Sequence, residues 1–164
     1  MSYPPIRYPD LDGVVSATFR PASRPRDLDD PRRDSGLAYL ATAASTGGDY
    51  GLFRLDMGVE PSGPARHFHR TMSEAFYVLE GTVLLDDGEQ VREAGRGDFL
   101  YVPPGGIHGF RNESGAPVSM LMLFAPGAPR ETYFEELAEV AASGRRLSDD
   151  EWTELYARHD QYMV

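Results

Sequence analysis

Two short stretches of the sequence hold the side chains whose types and spacing can do metal chemistry. In RHFHRTMSEAFYVLEG, His67 and His69 alternate along an extended segment and therefore project from the same face. Glu74 follows five residues after His69, and the segment GDFLYVPPGGIHGFRN supplies His108. Three imidazoles and one carboxylate suit one divalent transition metal ion, namely Fe, Mn, Co, Ni, Cu or Zn. Because the chain has no cysteine, any such ion must be bound by nitrogen and oxygen.

Each histidine has a simpler interpretation when it is taken alone, because a lone histidine in a β protein is more often a surface or hydrogen-bonded core residue. The chain contains only four histidines, however, and three of them fall within these two segments. This concentration favours one shared metal site over three unrelated positions. The fourth, His159, lies in a predicted helix, and we interpret it as a surface residue.

The charge balance narrows the classes of partner. The sequence has 26 acidic residues against 16 Lys and Arg residues, all of them arginine, and a formal net charge of -10. The absence of lysine removes Schiff-base chemistry and the lysine of phosphate-binding loops. An acidic protein repels a polyanion, and the arginines between residues 20 and 33 are interleaved with aspartates. We therefore expect a small-molecule substrate and no nucleic-acid partner.

The apolar runs are all short. None approaches the ~20 residues that a membrane span requires, and the first residues, MSYPPIRYPD, contain no apolar stretch that resembles a signal peptide. We expect a cytoplasmic protein with no membrane partner.

The elements that must position the four side chains are predicted to be strands. From residue 37 onward, short β-type runs alternate with turn sequences such as STGG, EPSGP, DDGE and PPGG. Short strands separated by turns at such regular intervals are typical of an antiparallel barrel or sandwich. A chain of 164 residues is long enough for a single hydrophobic core. The predicted strands are 37–43, 50–59, 75–79, 82–86, 90–93, 98–102, 107–112 and 118–124.

The flanking segments differ from the β region. Residues 1–36 are rich in Pro, Arg and Asp, with one predicted strand at 14–19, and form either a partly disordered tail or an arm that pairs with the barrel or a second subunit. Residues 126–164 predict two helices. The first carries the apolar stripe Tyr133, Phe134, Leu137 and Val140, and the second begins at a capping box of Ser148 and Glu151. The predicted organisation is therefore 1–36 arm, 37–125 barrel and 126–164 helical tail.

The two histidine stretches resemble the two motifs of the cupin superfamily. His67, His69, Glu74 and Gly81 match its first motif. The second motif is matched by five residues: Gly97, Pro103, Gly105, His108 and Asn112. The resemblance covers residues 37–124 and implies a cupin-type double-sheet jelly-roll β-barrel, so the predicted fold class is all-β with two C-terminal α-helices. It also implies that His67, His69, Glu74 and His108 are the metal ligands.

The expected pocket is mostly apolar. Period-two alternation places Phe76 and Val78 on the inner face with Glu74, and Phe110 there with His108. Further candidates for its lining are Met120, Met122, Phe124 and either Phe53 or Arg54, although each is more simply interpreted as a core residue. The helical tail resembles that of single-domain cupins of the quercetin-dioxygenase-like kind. In this chain, Tyr133 and Phe134 of the tail are expected either to cover a sheet face or to contact substrate.

Four protein ligands leave one or two open positions on a five- or six-coordinate ion, which favours a catalytic over a structural metal. The leading interpretation is a dioxygenase acting on an aromatic or enol-containing substrate, with Glu74 as ligand or catalytic base. The alternatives are a polyketide cyclase or isomerase that uses the metal as Lewis acid, and a non-catalytic cupin that binds metal and a small molecule. Exposed sheet edges and an N-terminal arm predict a homodimer.

Overall fold

The computed structural model describes residues 2–164. Its strands are β1 (Leu28–Asp30), β2 (Ser35–Ala41), β3 (Gly51–Met57), β4 (His67–Phe68), β5 (Ser73–Glu80), β6 (Thr82–Asp86), β7 (Val91–Gly95), β8 (Phe99–Val102), β9 (Gly109–Arg111), β10 (Val118–Ala125) and β11 (Tyr162–Met163). Its helices are α1 (Ala43–Thr46), α2 (Arg130–Ser143) and α3 (Asp149–Arg158). None of the helices within residues 2–164 is long and apolar enough to cross a membrane.

Two antiparallel sheets enclose the core. The larger has the strand order β1-β2-β3-β10-β5-β8, and the smaller has the order β7-β6-β9. Phe76 of the larger sheet meets Phe110 of the smaller one edge to face, with ring centroids 5.4 Å apart. The sheets are joined by packing and do not close into one hydrogen-bonded ring. This arrangement is the double-sheet fold that the resemblance implies.

The period-two pattern decides which side chains form the core. Along β10, Val118, Met120, Met122 and Phe124 are buried and alternate with half-buried residues. On β5, Phe76 and Val78 share the buried face with Glu74, as the alternation predicts. Burying one face of each strand is the main driving force for this packing, since apolar area is removed from water on folding.

The N-terminal segment differs from its prediction. The expected strand at 14–19 is wrong, because residues 2–27 carry no strand and the side chains of Val15 and Phe19 are exposed. A strand needs a neighbour for its backbone groups, and this stretch has none. The first strand is β1, which pairs with β2.

The C-terminal tail forms the two predicted helices and one strand that the sequence did not indicate. The Ser148 hydroxyl accepts a hydrogen bond from the backbone N–H of Glu151, and Glu151 accepts one from Ser148 N–H, so the predicted capping box is confirmed. In α2, Phe134 packs against Phe53 with ring centroids 5.4 Å apart. After α3, strand β11 pairs with β4, the strand that begins at His67.

Tight turns set the register between neighbouring strands. Gly81 connects β5 to β6 with φ +80°, a conformation that side-chain-bearing residues rarely adopt. A Cβ on Gly81 would lie 2.3 Å from the carbonyl oxygen of Pro117, a backbone atom that cannot move aside cheaply. Gly115 also has a positive φ of +70°, but nothing lies within 4 Å of its Cβ position.

These two glycines provide a matched test of the turn. Gly81→Ala is expected to lower the free energy of unfolding by about 2–4 kcal/mol, because it combines backbone strain with a clash. Gly115→Ala carries the strain alone and should cost about 1–2 kcal/mol. Urea unfolding of both variants measures the difference. Equal losses would show that the close approach to Pro117 contributes nothing.

Candidate metal centre

The four residues predicted to bind metal come together. His67 lies in β4, His69 in the loop after it, Glu74 in β5 and His108 immediately before β9. All four are buried, and one donor atom from each lies within 4.8 Å of the others. The centre therefore sits where the first and second motif segments meet.

Backbone hydrogen bonds hold the two segments side by side. The N–H of His67 donates to the carbonyl of His108, and the N–H of His108 donates to the carbonyl of His67, each at 2.9 Å. The N–H of Gly105 donates to the carbonyl of His69 at 2.6 Å. The PPGG turn thus aligns His108 beside the earlier pair, as the sequence predicts.

Each imidazole is oriented by a backbone carbonyl. Nδ1 of His67 lies 2.8 Å from the oxygen of Ala65, and Nδ1 of His108 lies 2.9 Å from that of Gly106. Nδ1 of His69 lies 2.5 Å from the oxygen of Asp160. A carbonyl oxygen only accepts, so Nδ1 carries the proton in all three rings. Nε2 of each neutral ring is therefore left with a free lone pair.

The free lone pairs face a carboxylate. Oε2 of Glu74 lies 3.1 Å from Nε2 of His69 and 2.9 Å from Nε2 of His108. Lone pairs and a negative oxygen at these distances repel one another unless a cation lies between them. A divalent metal ion satisfies that requirement and prefers this set of imidazole nitrogens and carboxylate oxygen. The residues present therefore fit such an ion.

The protonation states follow from burial and mutual contact. In the metal-free protein, burial opposes ionisation of Glu74. Its contacts with the His108 and His69 rings, which can donate from Nε2 only when they are protonated, outweigh burial and lower its pKa to about 2. Burial, together with the charge of His108, lowers the pKa of His67 to about 4. Burial alone would lower the pKa of His108, yet its hydrogen bond to Glu74 and the carboxylate charge raise it. The raised pKa of His108 favours a protonated ring in the metal-free protein, and this proton takes the place of the ion.

A residue from the C-terminal tail supports the centre. The carbonyl of Asp160 orients His69, and its carboxylate accepts hydrogen bonds from the N–H of Arg70 at 3.0 Å and the N–H of Thr71 at 2.8 Å. The Thr71 hydroxyl donates to the same carboxylate at 2.6 Å. Asp160 has φ 55°, a left-handed conformation that aspartate tolerates better than most residues. Outer partners of this kind fix ring orientation in metal sites.

A cavity of about 600 Å³ opens beside the centre, and His67 and Glu74 are among its lining residues. Its walls come from both the barrel and helix α2: Phe110, Met122, Phe124, Tyr133, Phe134 and Leu137. Helix α2 therefore covers the sheet and faces the cavity at the same time. Of the other pocket candidates, Phe53 and Met120 lie in the core, and Arg54 pairs with Asp56.

The remaining histidine lies outside the centre. His159 caps the C-terminal end of α3, and its Nε2 lies 2.7 Å from a carboxylate oxygen of Glu136 on α2. Its side chain is mostly covered, so it is a bridge between the two helices rather than a fully exposed surface residue.

The cavity also contains residues that sequence reasoning missed, namely Arg130, Tyr156 and Gln161. A signal for Arg130 was present in the sequence. It precedes Tyr133, Phe134 and Leu137 at the i, i+3, i+4, i+7 spacing of one helix face, so it stands as a charged residue on the apolar stripe.

The shifted pKa values predict how stability depends on pH. In metal-free protein, the lowered pKa of His67 makes stability rise as pH increases from about 4 to 6.5. The raised pKa of His108 contributes stability below about pH 6.5 that is lost as pH rises through the folded-state pKa. We expect the free energy of unfolding to peak between about pH 6 and 7. Urea unfolding with a chelator across this range measures it.

Zinc should remove the decline above neutral pH, because an ion then takes the place of the His108 proton. His159→Gln is the matched control and should keep the metal-free profile. A metal-free stability that still rises through pH 8 would contradict the assignment of the proton to His108.

Comparisons with known proteins find a family match in the region that holds these four residues. The sequence model of the family described as "Cupin domain" matches residues 55–124. A quercetin 2,3-dioxygenase from Bacillus subtilis is 34% identical over 74 residues, which cover 44% of this chain and 21% of that enzyme. An uncharacterised protein from Streptomyces coelicolor is 28% identical over 105 residues, covering 64% of this chain and 95% of that protein. The matched part thus spans about a fifth of the dioxygenase's length.

A solved structure agrees with the fold. The polyketide cyclase RemF from Streptomyces resistomycificus has a TM-score of 0.54 and 21% identity, with 71% of this chain and 82% of that one covered. At this identity the likeness bears on the fold alone. The strand order, the two motif segments and the family match lead to the same assignment. Residues 55–124 match the cupin domain, and the chain has a cupin-type double-sheet fold.

Proposed function

We propose that the protein is a metal-dependent dioxygenase that acts on an aromatic or enol-containing small molecule. One observation carries the proposal: donor atoms of three imidazoles and one carboxylate converge beside a cavity with aromatic walls. In this proposal, His67, His69, Glu74 and His108 hold one divalent transition metal ion. When bound, the ion supplies Lewis acidity and, as a redox-active metal such as iron or copper, access to dioxygen.

The protein's own contribution begins with binding and orientation. Phe110, Phe124 and Phe134 offer ring faces and edges to a flat apolar substrate. The same side chains exclude water from the Nε2 cluster, which strengthens every electrostatic interaction there. A substrate seated in the cavity is thereby held with its polar end towards Glu74.

Glu74 is the proposed catalytic residue as well as a ligand. Its carboxylate lies beside two Nε2 atoms and reaches the cavity, so it is placed to accept a proton from a substrate hydroxyl. In the metal-free protein its pKa of about 2 means that the carboxylate is ionised at neutral pH and can accept a proton. The hydroxyl of an enol or phenol, made more acidic by a Lewis-acidic ion, matches this weak base better than an alkyl alcohol or a C–H bond does.

Metal content and oxygen consumption test this proposal together. Wild-type protein is expected to carry about one ion per chain, as in other four-ligand sites. His67→Ala and His108→Ala each remove one ligand and should lower that content at least about tenfold. His159→Ala is the matched control, because it removes the one histidine outside the centre, and it should keep the ion. Elemental analysis of the purified proteins gives the comparison.

Oxygen uptake by the same four proteins then separates the reaction classes. With a panel of flavonoids and enolic polyketides, wild type and His159→Ala should consume oxygen, and the two ligand variants should not. Bound metal without oxygen uptake would overturn the dioxygenase and leave a Lewis-acid cyclase or isomerase, or a non-catalytic binder. No metal in wild type, even after reconstitution, would overturn the site itself.

We also propose that the protein is a homodimer in which the N-terminal arm of one copy packs on the sheet edge of the other. Residues 2–25 form no strand or helix, and Val15 and Phe19 are almost fully exposed. Strand β8, at the edge of the larger sheet, exposes Phe99 and Tyr101. Arm and edge each expose apolar surface that would be buried by contact with a second copy.

Sedimentation equilibrium tests the dimer. Wild type is expected to have about twice the monomer mass of 18.2 kDa at micromolar concentration. Phe19→Glu should raise the dissociation constant at least about tenfold, because it places a charge in the apolar contact. Ser16→Glu, which adds the same charge nearby in the arm, is the control. A monomeric wild type, or a Phe19→Glu variant with unchanged affinity, would contradict the arrangement.

A further inference from the structure

Arg130 is a buried cation without an acidic partner. Its side chain is 4% exposed, and no carboxylate within residues 2–164 forms an ion pair with it. Nη1 donates to the carbonyl of His159 at 2.8 Å, and Nη2 donates to Oε1 of Gln161 at 3.3 Å. The third group, Nε, is buried and has no hydrogen-bond partner. Burying a guanidinium is costly, and a donor left unpaired adds to that cost.

Aromatic rings surround the guanidinium. Its central carbon lies 4.1 Å from the ring centre of Tyr133, 5.0 Å from that of Phe124 and 5.4 Å from that of Phe134. Cation–π contacts of this kind offset part of the cost of burial and fix the plane of the group. A rigid, flat guanidinium is well suited to bind a planar anion through two hydrogen bonds.

The position of Arg130 connects it to the centre already described. It lines the same cavity as His67 and Glu74. A contact that joins α2 to the segment after α3 needs only a neutral donor, because both acceptors are neutral. These acceptors are the His159 carbonyl and the Gln161 amide oxygen. These two contacts do not require a positive charge, although the carboxylates of Glu74 and Asp160 act on it at longer range. Asp29 and Asp30 also line the cavity, but they are exposed. With a divalent ion on the His/Glu set, the buried part of the cavity would carry excess positive charge, which favours an anionic ligand.

We propose that Arg130 binds a carboxylate of the substrate. The substrate class is then an aromatic or enolic carboxylic acid, with its hydroxyl beside His67 and Glu74 and its carboxylate at Arg130. The position of the hydroxyl rests on the proposed function, whereas recognition of the carboxylate does not. Arg130 is thus a specificity residue supplied by the tail to a site built by the barrel.

The test compares acids with their neutral amides. The probes are benzoate, phenylacetate and 3-phenylpropionate, each paired with its amide, and binding to zinc-loaded protein is measured by isothermal titration calorimetry. We expect at least one acid to bind roughly ten- to a hundredfold more tightly than its amide. In Arg130→Gln this preference should disappear while amide affinity stays within about threefold. Arg158→Gln, on the surface of α3, is the matched control and should keep the preference.

Three results would overturn the proposal. The first is that wild type binds no acid more tightly than its amide. The second is that the preference survives in Arg130→Gln, as expected if acids bind the zinc alone. The third is that acid and amide affinity fall equally in Arg130→Gln, which would make Arg130 a structural tether. Where Arg130→Gln does not fold, Arg130→Lys replaces it as the test variant. Lysine keeps the positive charge but lacks the planar guanidinium that can donate two hydrogen bonds to one carboxylate. An unchanged preference for acids in Arg130→Lys would exclude binding through two such bonds.

The outcome can be separated from that of the proposed function. The ratio of acid to amide affinity does not depend on oxygen chemistry, so it can hold when no oxygen is consumed. If the protein binds no metal, the same titrations in metal-free protein still test Arg130. An acid preference that depends on Arg130, without oxygen uptake, would keep this inference and reject the dioxygenase.

Discussion

The structure depends on the electrostatic arrangement of three imidazoles whose Nδ1 protons are all committed to backbone carbonyls. That commitment turns three lone pairs towards one carboxylate at the centre of a buried site. Such a group of acceptors is stable only with a cation among them. The paired backbones of His67 and His108, and the turn at Gly105, serve this arrangement by holding the rings at fixed distances. The sheets supply a rigid frame, and the aromatic walls keep the surrounding dielectric low.

The parts of this protein that sequence could predict are those encoded by short spacings. His67 and His69 share a face because they alternate along an extended segment, and Glu74 shares the buried face of Phe76 and Val78 because they alternate on β5. The tail helices follow from a 3.6-residue stripe and a capping box. In each case the determining contacts lie within about ten residues of one another, so local patterns are sufficient.

The parts that sequence could not predict arise from contacts between distant segments. Asp160 reaches a ring 91 positions earlier in the chain, and no local pattern identifies that pairing. Strand β11 has two residues and exists only because β4 is beside it. The strand expected at 14–19 is the opposite case. Its residues have β propensity, but no neighbouring strand pairs with them. Arg130 lies between these extremes, since its helix face was predictable and its burial was not.

The contact between Asp160 and His69 has a consequence for the order in which the protein matures. During synthesis the four side chains of the centre leave the ribosome well before the tail does. Until then, Nδ1 of His69 has no carbonyl acceptor, and either ring nitrogen can carry the proton. A nascent chain therefore presents an incompletely oriented site, and the final orientation of the His69 ring requires the docked tail. The long separation in sequence makes completion of the site a later step than formation of the barrel strands.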